Sequence, residues 1–149
     1  MHILQAETAD VPELYRLQLI AFESKAEMIG SRLVPALLET KEENENDFIN
    51  WTVLKMTNDK NEIVGAVRFR KKGEVIEVGR LMTHPKYRRQ GLAKQLLAKV
   101  DAMCPNETKE PYTCTKSVAN IRLYEKMGYK KAEEFTEATG LTFVYMRKK

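Results

Sequence analysis

Between residues 48 and 83, three runs rich in β-forming residues, Phe48–Met56, Ile63–Arg70 and Val75–Thr83, are joined by turns at Asn58-Asp59-Lys60-Asn61 and Lys71-Lys72-Gly73. Connections this short join antiparallel neighbours, so the middle of the chain is a β-meander. Pro85 ends it. Leu92, Leu96, Val100 and Met103 then repeat at near-helical spacing and predict a helix from about 90 to 103. A meander running into an amphipathic helix needs a layered sheet-and-helix fold to bury both apolar faces.

The flanks complete that layer. Residues 1–7 alternate loosely and read as an edge strand. Asp10 stands three residues before Glu13, a capping-box spacing, with Pro12 in the first turn. Val11, Leu14, Leu17 and Ala21 predict a helix from about 11 to 22. Ala26, Ile29, Leu33 and Leu37 share one face of a second helix over 26–40, kinked or split by Gly30 and Pro35. The acidic stretch Glu39 to Asp47 reads as a solvated helix end or loop. Beyond the central helix come a short strand at Tyr112–Thr115 and a helix around 118–127 that stops at Gly128. A strand pair follows at Tyr129–Phe135 and Leu141–Arg147, and Arg147-Lys148-Lys149 reads as a solvated tail. The order β-α-α-β-β-β-α-β-α-β-β predicts an α/β (α+β) fold, a mixed sheet with helices on both faces.

The 149 residues fit one domain. No apolar run approaches the roughly 18–20 residues that span a bilayer, and the first residues lack the basic and apolar regions of a secretory signal. The expected compartment is therefore the cytoplasm, with no membrane partner. Two cysteines, Cys104 and Cys114, and two histidines, His2 and His84, make neither a disulfide framework nor a closed zinc site, so reduced thiols and no metal are expected. A formal net charge of +4 permits a polyanionic ligand without demanding nucleic acid.

The chemistry concentrates in Leu81-Met82-Thr83-His84-Pro85-Lys86-Tyr87-Arg88-Arg89-Gln90-Gly91-Leu92-Ala93-Lys94. A strand ends, a basic loop follows, and a helix begins at a glycine. From His84 to Lys99 there are five Lys or Arg residues and no acid. A helix N-terminus offers free backbone N–H groups and the positive end of the helix dipole. Gly91 lets a ligand approach the backbone closely, and Ala93 keeps the wall low. This combination suits a phosphate or pyrophosphate. It is neither GxxxxGK[ST] nor a first-unit GxGxxG. A glycine near a helix start beside a solvated basic loop is the plain alternative.

Arg88-x-x-Gly91-x-Ala93 resembles the (Q/R)-x-x-G-x-(G/A) acetyl-CoA-binding motif of the GCN5-related N-acetyltransferases (GNAT family). Two further segments extend the likeness. Glu77-Val78-Gly79-Arg80-Leu81-Met82-Thr83-His84-Pro85 is similar to that family's fourth strand and its Pro-containing loop. Leu123-Tyr124-Glu125-Lys126-Met127-Gly128-Tyr129 is similar to its L-Y-E-K-x-G-F segment. The order of strands and helices fits the family over the whole chain.

The resemblance implies a mostly antiparallel sheet splayed between the fourth and fifth strands, with the pantetheine arm of acetyl-CoA in the opening. By position, the backbone of Leu81, Met82 and Thr83 would lie along pantetheine, and the Leu81 N–H would polarise the thioester carbonyl. Amides of Arg89, Gln90, Gly91, Leu92, Ala93 and Lys94 would hold the pyrophosphate, with side-chain charge from Arg88, Arg89 and Lys94. The family's usual asparagine, seven residues before the tyrosine, is Ser117 here, while Asn120 lies four before Tyr124. Either Asn120 or Ser117 is the expected contact to pantetheine.

Acetyl transfer to an amine needs a neutral nucleophile, a polarised thioester and a proton for the departing thiolate. An alkylammonium titrates near ~10.4, so its proton must first be removed. Glu77 matches the position of the glutamate that serves as base in the family's histone-acetylating branch and would act through a water, whereas other members use other bases or only water. The alternative is a carboxylate paired with a nearby Lys or Arg. Tyr124 is the expected acid, with a core tyrosine as the alternative. Cys114 lies near the expected thioester position but reads as a buried thiol.

The acceptor regions of the family fall at residues 20–47 and 133–141 here. Both are acid-rich, including Glu23, Glu27, Glu39, Asp47, Glu133 and Glu134, a pattern that would either steer in a cationic amine or, on the plain alternative, form solvated faces balancing a basic CoA groove. The expectation is an N-acetyltransferase acting on a small-molecule primary amine, because the Asn-x-x-x-Tyr variant occurs among members that act on small molecules and no peptide groove can be read, with a homodimer possible. Its rivals are an acyl-CoA-binding sensor without turnover, a protein acetyltransferase acting on lysine or an N-terminus, and a small nucleic-acid binder using residues 84–99.

Overall fold

The structure is a computed structural model and describes residues 1–149. Seven strands form the sheet: β1 (His2–Gln5), β2 (Thr52–Thr57), β3 (Ile63–Lys72), β4 (Val75–Thr83), β5 (Thr108–Cys114), β6 (Lys130–Thr136) and β7 (Thr142–Arg147). Five helices accompany them: α1 (Val11–Ile29), α2 (Pro35–Leu38), α3 (Lys41–Asp47), α4 (Leu92–Met103) and α5 (Val118–Lys126). The sheet order is β1-β2-β3-β4-β5-β7-β6. Neighbours run antiparallel except β4 and β5, which are parallel and joined through α4.

Several elements differ from the sequence reading for identifiable reasons. The first helix does not stop near residue 22 but continues to Ile29, taking in the start of the expected second helix. Gly30, at φ +76, ends it, and its N–H donates to Ala26 O at 2.9 Å. Pro35 opens α2 rather than interrupting a longer helix, because its missing N–H costs nothing in a first turn. The acidic stretch contains a helix of its own. In α3, Thr40 Oγ1 accepts from Glu43 N and the Glu43 carboxylate accepts from Thr40 N. Phe48–Asn50 forms a 3-10 turn, so β2 starts only at Thr52, and β5 starts earlier than expected, at Thr108.

The Asp10–Glu13 cap is not formed. Asp10 accepts from Glu7 N, while Glu13 accepts from Ile63 N at 2.8 Å, where the β2–β3 register slips between Met56 and Thr57. The C-terminus is not a free tail either. Arg147 pairs with Glu110 and Glu133, Lys148 pairs with Asp101 at 2.7 Å, and the Lys148 backbone bridges to Lys109.

Strand alternation divides the core between two faces. Leu54, Met56, Val67, Phe69, Val78 and Leu81 pack with Leu92, Leu96, Leu97 and Val100 of α4 and with Ile121 and Tyr124 of α5. Val53, Ala66 and Met82 face the other way, onto Leu14, Leu17 and Ala21 of α1. A third cluster joins Ile29 and Val34 to Cys114, Leu141 and Phe143, so the end of α1 reaches across to the β5–β7 side.

Gly65 lets α4 lie close to the sheet. A Cβ added there would meet Leu96 Cδ1 and Met82 O, each at 3.3 Å. Gly65→Val is expected to destabilise the fold by about 1–3 kcal/mol through overpacking, measured by urea unfolding. An unchanged midpoint would contradict this account of the α4–sheet contact.

Candidate active site

The parallel ladder between β4 and β5 is short. Val75 to Val78 pair with Thr108 to Pro111, and no pairing follows. Just beyond Val78 the register of β4 against β3 slips. Arg68 opposes Gly79 and Ala66 opposes Met82, so Arg80 and Leu81 together face Val67 alone. This is a β-bulge, and Arg80 sits in it at φ +47, a conformation uncommon for arginine. The extra residue resets the alternation. Val78 and Leu81, three apart, share the α4 face, while Met82 faces α1.

Ladder parity shows what borders the gap. His84 N donates to Val64 O, so the backbone of Met82, two residues earlier, also turns toward β3. The backbone of Leu81 and Thr83 therefore faces away, toward β5. On the opposite side, Lys109 N and Thr115 N donate to β7 partners, which turns the backbone of Tyr112 toward β4. Two strands thus present backbone groups to each other across a space that the sheet does not close. Met82 is the exception among the expected strand contacts, since both its backbone and its side chain point elsewhere.

Beyond Thr83 the chain passes through a 3-10 turn at Pro85–Tyr87, where His84 Nδ1 accepts from Lys86 N. Arg89 (φ +62) and Gly91 (φ +76) both take the left-handed conformation, and α4 begins at Leu92 rather than near 90. Gly91 is its N-cap and supplies no side-chain cap, so the first-turn amides have none from their own cap residue. A Cβ at Gly91 would meet nothing within 4 Å, which leaves this helix start open. Leu92 and Ala93 turn their side chains to the core, while Arg89, Gln90 and Lys94 are exposed. Arg88 swings toward α1, where its guanidinium donates to Ser24 Oγ.

A cleft of about 830 Å³, its open mouth included, lies where β4 and β5 part. Glu77, Leu81, Ser117, Asn120 and Tyr124 all line it, five positions drawn from β4, α5 and the turn before α5. Asn120 Nδ2 donates to Thr113 Oγ1 at 3.4 Å, which ties the start of α5 to β5. Tyr124 is 4% exposed and packs edge-on against Tyr129. Burial raises its phenol well above the usual range. Glu77 receives Arg70 at 3.4 Å and Lys72 at 3.8 Å. Cys114 is buried in the cleft wall as a free thiol.

Two features were not expected. Lys25 of α1 enters the cleft, where its ammonium donates to Leu81 O at 2.9 Å. Burial of that end, with the Arg88 guanidinium nearby, lowers it from 10.5 to about 8. The acid-rich regions also do not form a free acidic surface at the cleft. Glu23 pairs with Arg32, Glu39 with Arg80, Asp47 with Arg68 and Glu133 with Arg147.

A sequence profile described as an acetyltransferase (GNAT) domain matches residues 25–149. The chain belongs to the GNAT acetyltransferase family. Among curated proteins it is 26% identical over 143 residues to UPF0157 protein YqkA of Bacillus subtilis strain 168, a match spanning 95% of this chain but 41% of that protein. Its fold matches the PaiA N-acetyltransferase of Thermoplasma acidophilum, solved with coenzyme A (TM-score 0.79, 16% identity, 99% and 98% of the two chains). It also matches the ribosomal-protein-S18-alanine N-acetyltransferase of Escherichia coli (TM-score 0.74, 18% identity, 98% and 91% of the chains). No helix of this GNAT chain is long and apolar enough to cross a membrane.

Lys25 gives the GNAT cleft a measurable electrostatic signature. Its folded value lies below its unfolded one, so its charge costs stability fully below pH 8, and that cost fades as pH rises toward 10.5. Wild-type protein is therefore expected to gain stability over that window relative to Lys25→Met, measured by urea unfolding at successive pH values. Parallel profiles for the two proteins would show that Lys25 titrates as an ordinary surface lysine.

Proposed function

We propose that this chain is an acetyl-CoA-dependent N-acetyltransferase that acetylates a primary amine of a small molecule by direct attack in a ternary complex. One observation carries the reading. The parted β4 and β5 lead along one strand into an α4 start with no side-chain cap, at the glycine of Arg88-x-x-Gly91-x-Ala93. An extended ligand arm adds to strands with free backbone groups as a further strand would, and a diphosphate suits open amides at a helix start. The PaiA structure, which holds coenzyme A, shares this fold.

In this reading the Leu81 N–H donates to the thioester oxygen and stabilises the charge that grows there. Glu77, held by Arg70 and Lys72, takes the amine's proton through a water. The amine nitrogen bonds to the acetyl carbon, the carbon–sulfur bond breaks, and Tyr124 gives its proton to the departing sulfur. Burial holds the Tyr124 phenol protonated, so its proton is there to give. Asn120 or Ser117 contacts the pantetheine amides from the start of α5.

The direct test is titration calorimetry with acetyl-CoA, followed by thiol-release assays over a panel of amines. Binding with turnover supports the reading. Binding without turnover on any amine would favour an acyl-CoA sensor, and no binding at millimolar ligand would overturn it. Tyr124→Phe is expected to lower kcat by about 10²-fold or more while leaving the KM for acetyl-CoA nearly unchanged. Gly91→Val puts a β-branched residue at φ +76 and is expected to weaken coenzyme A binding about tenfold or more by calorimetry, because it strains the helix start and raises its wall.

A further inference from the structure

The cleft carries more positive charge than acetyl transfer to a simple amine requires. Three cationic side chains line it, Lys25, Arg68 and Arg80, against the single carboxylate of Glu77. That carboxylate is already engaged by Arg70 and Lys72. Within the lining itself cations outnumber carboxylates, a poor fit for a bare ammonium. The diphosphate of a coenzyme does not explain the arginines. Arg80 precedes Leu81 on β4 and Arg68 lies beside Gly79, whereas the open helix start comes after Thr83, in the opposite direction along the strand.

Both arginines are built in rather than loosely attached. Their side chains are 13% and 15% exposed, and the Nε of each is buried without a hydrogen-bond partner. Arg68 lies over the Trp51 ring at 4.0 Å, which fixes its plane. Burial, with Arg80 beside it, brings Arg68 down to about 10. The acids that pair with them lie outside the cleft lining, Asp47 accepting from Arg68 Nη1 at 3.3 Å and Glu39 lying 3.6 Å from Arg80. Both acids are shared. Glu39 also accepts from Gln18 and Asn44, and Asp47 from Asn50 and Trp51. Buried guanidinium N–H groups left unpaired are costly, and a planar anion is the partner that satisfies them best.

Resting on the acetyltransferase reading, we propose that the acceptor is an amine that also bears an anionic group, a carboxylate or a phosphate, and that Arg68 and Arg80 hold this group. The anion end anchors on the β3–β4 side of the bulge, and the amino group is left to reach the thioester beside Leu81. The acceptor class is then amino acids or aminoalkyl phosphates rather than polyamines or other wholly cationic amines.

The test uses the full chain with saturating acetyl-CoA and acceptors in matched pairs. One arm sets α-amino acids against their carboxamides, and the other sets 2-aminoethyl phosphate against 2-aminoethanol. The anionic member of at least one arm is expected to show a kcat/KM about tenfold or more above its neutral partner, and the arm that does so identifies the anion. Arg80→Gln and Arg68→Gln are expected to raise the KM for that acceptor and shrink the preference, with the KM for acetyl-CoA held and Arg80→Lys recovering part of the loss. The wild-type comparison decides the matter even if a variant fails to fold. Equal or faster turnover of the neutral partners in both arms would overturn the anion proposal alone. Failure to bind acetyl-CoA, or to acetylate any amine in either arm or a broader panel, would overturn the acetyltransferase reading and this proposal with it.

Discussion

Everything at the cleft depends on two parallel strands that stop pairing partway along their length. A sheet interior normally satisfies every backbone N–H and C=O through its ladder. Here β4 and β5 pair only as far as Val78 and Pro111, and the backbones of Leu81, Thr83 and Tyr112 then face a gap. The bulge at Arg80 makes this possible without unravelling β4 from β3, because it adds twist and one residue on the open side only. The result is an edge inside a sheet, protected by neighbouring elements yet open to an extended ligand. The third apolar cluster matters for this reason. By tying Ile29 and Val34 to Cys114 and Phe143, it bridges the two halves across the opening.

The ion pairs around the bulge form one connected system. Asp47 accepts from Trp51 Nε1 and meets Arg68, the Trp51 ring carries both Arg68 and Arg70, and Arg70 reaches Glu77. Ion pairs at the surface contribute little singly. Stacked on a tryptophan and half-buried, these act mainly on orientation. They fix the cations on the face of β3 and β4 toward α1 and hold Glu77 at the cleft margin. Removing one partner would leave a buried charge to be solvated, so the network is more sensitive to truncation than its separate distances suggest.

The fold was largely legible because its punctuation is local. Gly73 and Pro85 bound β4, the Leu92, Leu96 and Val100 spacing marks α4, and Gly128 closes α5. The errors fall where long-range partners decide. Glu13 leaves its local cap for Ile63, fifty residues away. Arg147 and Lys148, which look like a tail, find Glu110 and Asp101. The site divides in the same way. Glu77, Leu81, Ser117, Asn120 and Tyr124 do converge on one cleft. Met82 does not, because strand parity turns it toward β3. Lys25 gave no signal, since nothing near it in sequence points to Leu81, 56 residues on. Among the acids of residues 20–47, Glu23, Glu39 and Asp47 pair with Arg32, Arg80 and Arg68, partners that composition does not record.

The two ends of the cleft therefore answer to different kinds of positive charge. At the α4 start the charge is carried by backbone amides and exposed side chains, which suits a flexible, strongly hydrated diphosphate reached from solvent. At the bulge it is carried by two buried guanidiniums, Arg68 stacked on Trp51 and Arg80 beside it, which suits one planar group in one orientation. Between these ends sit Leu81, Glu77 and Tyr124, with the Lys25 ammonium against Leu81 O, and in the proposed reaction the reacting atoms meet there. Anchoring both reactants by their anionic ends, on opposite sides of Leu81, would fix the distance between amine and thioester without spending contacts on the small groups that react. That is how positioning lowers a barrier, and in the proposed reaction it would leave the central residues two protons to move and one developing charge to hold.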